Sequence, residues 1–171
     1  MPAIQGDQTD NDVALEATID ELNQQAADLR QNDAQLALRL CQQAHALASG
    51  APNGYPRGLF ASLANIAVTE LFLGHYEDAL NRALEAQAQV GQLGDPALEA
   101  QLHEIFAMIY DVLGDYPRAL DALLRFQAFC EQSGDIAGQA LGSFRVGMLN
   151  SGLGNYLQAL GWYDRALALY Q

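Results

Sequence analysis

Three histidines, two cysteines and a set of paired carboxylates are the side chains here that could act as metal ligands, nucleophiles or proton carriers. His45, His75 and His103 fall at non-equivalent places and belong to no His-Glu-x-x-His motif, which predicts packing or solvated roles. Cys41 and Cys130 stand 89 positions apart without a Cys-x-x-Cys partner, so neither a zinc set nor a disulfide framework follows. Both lie among apolar neighbours and read as inert packing thiols. Gly152-Leu153-Gly154 holds a glycine pair but lacks the lysine of a phosphate-binding loop, and it reads as a helix-closing turn. Glu77-Asp78 falls where a helix begins, and its charge suits the amino-terminal dipole. The sequence thus predicts no catalytic residue, no metal site, no cofactor and no enzyme.

Composition narrows the partners. The chain has 171 residues, half of them apolar, with 21 carboxylates against eight arginines and no lysine, for a net charge of −13. That field repels nucleic acid and anionic bilayers. Neither a signal-peptide pattern at the amino end nor an apolar run of spanning length is present, the longest nearly apolar stretch being 66–73. A reducing, cytoplasmic setting is the expectation.

The elements that must position these side chains repeat with a period of 40. LGHYEDAL at 73–80, LGDYPRAL at 113–120 and LGNYLQAL at 153–160 share Leu, Gly, Tyr, Ala and Leu at fixed offsets. Gly54, Gly94 and Gly134 fall midway between Gly74, Gly114 and Gly154, so each repeat contains two helices. The reading is all-α, with helices over 12–30, 33–49, 55–73, 76–92, 96–113, 116–132, 136–153 and 156–170. They form four hairpins, about 12–50, 55–93, 95–133 and 135–171. Glycines close the helices, Asp95 and Asp135 are placed to accept from free amides, and Pro56, Pro96 and Pro117 occupy first turns. Residues 1–11, polar, acidic and aperiodic, are expected to form a disordered tail.

These helix–turn–helix units, with Leu-Gly-x-Tyr closing one helix and Ala-Leu opening the next, resemble tetratricopeptide (TPR) repeats. Ala67, Ala107 and Gly147 each precede Ala79, Ala119 and Ala159 by 12 positions, the spacing at which that family keeps small residues between paired helices. Ala44, Ala86 and Ala166 supply a third small position, where the third unit departs with Phe126. The 40-residue period, with Gly94-Asp95 and Gly134-Asp135 in place of a closing proline, resembles the long-repeat subclass. The resemblance implies a right-handed superhelical array whose first helices line a concave groove for a peptide or partner helix.

By that register the groove holds Asn65, Val68 and Phe72, then Glu104, Ile105, Met108 and Val112, then Phe144, Arg145 and Met148. Its methionines adapt to varied shapes and its phenylalanines offer anchoring area, which favours an apolar or basic protein partner over an acidic one. TPR arrays end in a polar-faced helix, and Trp162, Tyr163, Leu167, Leu169 and Tyr170 in the last hairpin are therefore expected to form an apolar patch. The implied function is a non-enzymatic interaction scaffold, the amino-terminal sensing region of a larger signalling protein; the alternative is a homodimerisation module acting through the last hairpin.

Overall fold

In the computed structural model, which describes the backbone from residue 5 and side chains from residue 10 onward, the described residues contain eight α-helices and no strand. These are α1 (Gln5–Leu29), α2 (Ala34–Ser49), α3 (Pro56–Leu73), α4 (Tyr76–Leu93), α5 (Pro96–Val112), α6 (Tyr116–Ser133), α7 (Ile136–Gly152) and α8 (Tyr156–Leu169). The chain divides into two compact units, Met1–Gly94 and Asp95–Gln171, each of two hairpins. In the first, α1 packs on α2, α2 on α3 and α3 on α4, with α1 also touching α3; in the second, α5 packs on α6, α6 on α7 and α7 on α8.

Turn chemistry sets these boundaries. After α3 the chain enters the left-handed region at Gly74 (φ 81°), and the His75 amide turns back to donate to the Glu70 carbonyl at 2.9 Å. The same closure recurs from Asp115 to Tyr110 (2.8 Å) and from Asn155 to Asn150 (2.9 Å), so helix ends recur where glycine removes the Cβ clash. Asp33, Asp95, Asp115 and Asp135 each accept a backbone N–H in the first turn of the following helix. Seven helices begin and end within a residue of the sequence reading. The exception is α1, which starts at Gln5, so residues 5–11 of the expected tail are helical. The rest of that tail lies outside the described residues.

The small-residue spacing is explained by packing. Ala67, Ala79, Ala107, Ala119 and Ala159 are all buried, and a Cβ added to Gly147 would stand 2.6 Å from the Tyr163 ring. A larger side chain at any of these places would wedge a hairpin open. Phe126, the departure from pattern, is buried in a cluster with Ala100 and Cys130. A Cβ added to Gly142 of α7 would stand 3.4 Å from its ring, an ordinary contact, so the ring packs against that helix.

Candidate functional site

In the unit Asp95–Gln171, α5 and α7 present one shared face. Arg145 of α7 donates to Glu104 Oε1 of α5 at 2.9 Å, and both side chains are largely buried. Beside this ion pair lies a pocket of about 30 Å³, room for one water-sized group, lined by Ala107, Met108, Asp111, Leu123, Arg145, Met148 and Leu149. The Nε of Arg145 is buried there without a partner. Burial pushes the Asp111 carboxyl above its usual range while the Arg145 charge holds it back. Around this polar centre Val112, Phe144 and Met148 are about half exposed. The face can therefore grip an apolar surface around a partly buried ion pair.

Ile105, assigned to that face by register, is only 3% exposed and belongs to the core. Val68, assigned to the groove in the unit Met1–Gly94, is likewise buried. In that unit Phe72 is exposed, whereas Asn65 is tied into a polar network. Arg30 donates to Asn65 Oδ1 at 2.6 Å and to Thr69 Oγ1 at 3.2 Å, and Asn65 Nδ2 reaches Asn23. Burial pulls the Arg30 guanidinium below its ordinary value, with no carboxylate contributing.

The apolar surface of the last hairpin differs from the sequence list. Tyr163 is turned inward against Gly147 and lies 5.7 Å from the Phe144 ring, and Trp162 carries the Arg165 guanidinium 5.4 Å from its centroid. Leu167 and Tyr170 are exposed as expected. They are joined by Tyr156, Leu160 and Leu157, the last 89% exposed. Counting these from the first turn of α8 would have found them; register against the family pattern passed over them.

Among the described residues the reactive types converge at one place. Cys41 and Cys130 are fully buried free thiols. Burial raises both, with Asp135 adding to it at Cys130, which is pushed up to about 11, so neither is a thiolate at neutral pH. Burial lowers His45 and His103 below the ordinary histidine value. At the one place of convergence His75 meets other ligating groups, Glu70 and Asp78. No helix among the described residues is long and apolar enough to cross a membrane.

No family model matches the chain, and no curated protein sequence does. Among 23 solved chains of similar shape is BtubC (BKLC) from P. vanneervenii, with a TM-score of 0.73 over 95% of this chain and 73% of that one, at 19% identity. The fold is an all-α array of helical hairpins. Such arrays present extended side-chain surfaces in place of an enclosed reaction site, which suits a scaffold or interaction module.

Proposed function

We propose that this chain is a non-enzymatic TPR scaffold of the long-repeat type, binding an apolar or basic peptide or helix on the groove face of α5 and α7. The observation that carries this reading is the α5–α7 face itself, where exposed Val112, Phe144 and Met148 surround a small pocket lined by Asp111 and Arg145. The apolar side chains of a peptide cover these exposed residues. The repeat register and the buried small-residue pairs support the TPR assignment. The net charge of −13 favours a partner that is not acidic. In this reading the scaffold is the interaction region of a larger signalling protein. Peptides selected from a random 12-residue display library on the whole chain provide the test. Their affinity should fall at least about tenfold, roughly 1.4 kcal/mol, in Met148→Glu. Unchanged affinity would remove the groove assignment.

One observation favours a second reading, homodimerisation through α8, because Tyr156, Leu157, Leu160, Leu167 and Tyr170 expose apolar surface on one short helix. Light scattering over a hundredfold concentration range should then give twice 18.5 kDa, reverting to monomer in Leu157→Ser with Leu160→Ser. A constant monomer mass would exclude it.

A further inference from the structure

The turns that join the helices of the second, third and fourth hairpins share one backbone geometry and carry different chemistry. Forty-residue register places Glu70, His75 and Asp78 where the next hairpin has Tyr110, Asp115 and Arg118, and the last has Asn150, Asn155 and Gln158. The third hairpin's set is electrically closed. Arg118 lies 4.9 Å from the Tyr110 ring centroid, and its Nε donates to Asp115 Oδ2 at 2.6 Å. The fourth hairpin's set carries no charge. The second brings two carboxylates and an imidazole together, and among the described residues no arginine pairs with either carboxylate; the nearest along the helix, Arg82, is engaged by Glu85.

Three facts make this corner more than an acidic surface. His75 Nδ1 and Glu70 Oε2 are 2.5 Å apart, and with an Asp78 oxygen the three donor atoms lie within 4.8 Å of one another. The Glu70 side chain is only 13% exposed, so its charge is mostly withdrawn from water and has a single side-chain partner. Finally, His75 occupies the N-cap place of α4 but does not cap it, whereas Asp115 at the same place caps α6. Its ring is directed to Glu70 instead.

We propose that Glu70, His75 and Asp78 form a binding site for a divalent transition metal, with zinc the fitting ion. An imidazole with two carboxylates suits zinc better than calcium or magnesium, which take oxygen ligands, and water completes the coordination of a three-ligand site. Tetrahedral zinc bonds of about 2.0–2.2 Å set ligand atoms roughly 3.4 Å apart, so the exposed His75 ring draws back from Glu70 while the exposed Asp78 carboxylate closes in. The bound ion supplies the cation that Arg118 supplies one hairpin later. It pins the last turns of α3 to the first turn of α4.

Titration calorimetry of the whole chain with zinc chloride tests this, with cobalt(II) absorption as the spectroscopic readout. One ion per chain should bind, with a rise in melting temperature as zinc increases. His75→Ala should weaken binding at least about tenfold, while His45→Ala and His103→Ala leave it unchanged. Asp78→Arg copies the third hairpin's arrangement and should abolish binding with the helical circular dichroism intact. Absence of saturable binding up to millimolar zinc would overturn the proposal. So would equal affinity in His75→Ala, or a loss that follows His103.

Discussion

The α3–α4 and α5–α6 hairpins have the same skeleton and opposite electrostatics. Both close the first helix on a left-handed glycine, Gly74 or Gly114, and both bury an alanine pair, Ala67 with Ala79 or Ala107 with Ala119. In one corner an arginine closes the charge internally; in the other two carboxylates and a histidine stay open. Backbone and small residues thus set the fold, and side chains at three fixed positions set what each hairpin can bind.

The shared skeleton can be broken symmetrically. Ala67→Leu and Ala107→Leu should each cost about 1–3 kcal/mol in urea unfolding, because both sites are fully enclosed between paired helices. A neutral result at either would mean that the two hairpins pack differently. Next in size, Gly74→Ala and Gly114→Ala force a Cβ into the left-handed region, and each should lose about 1–2 kcal/mol. Unequal losses would show that one corner relaxes.

The difference between the corners is sharpened by their caps. Asp115 Oδ1 accepts from the Arg118 amide at 3.2 Å, so Asp115→Ala should cost about 0.5–2 kcal/mol. His75→Ala removes no cap but leaves the Glu70 carboxylate without its side-chain partner, and should cost about 1–3 kcal/mol in metal-free buffer. The smallest effect concerns His103 on α5. Burial lowers its folded-state pKa below the ordinary 6.5, so the stability it confers is present above about pH 6.5 and is lost as pH falls through the folded value. His103→Gln should flatten that part of the melting-temperature profile; an unchanged slope would assign the acid sensitivity to other groups.

Much of this architecture was legible because glycine and small residues report backbone constraints directly. A left-handed closure admits little else, so glycines 20 positions apart gave six helices, α3 to α8, to within a residue. Faces were harder to read. A residue's direction on a helix turns by about 100° per position, so register placed Val68 and Ile105 on a groove when both point into the core. Leu157 and Leu160 went unnoticed because their exposure depends on what packs against α8. The Glu70, His75 and Asp78 cluster joins the end of one helix to the start of the next at spacings of five and three, across a turn that helical periodicity does not carry. Laying the three corners side by side would have exposed it, since Arg118 stands where Asp78 does.

The central claim is that α5 and α7 carry the partner-binding face. Hydrogen exchange read by mass spectrometry, with and without a display-selected peptide, tests it most directly. The account predicts new protection in peptides covering Met108–Val112 and Phe144–Met148, with α8 unchanged. Protection confined to α8, or none at saturating peptide, would contradict it.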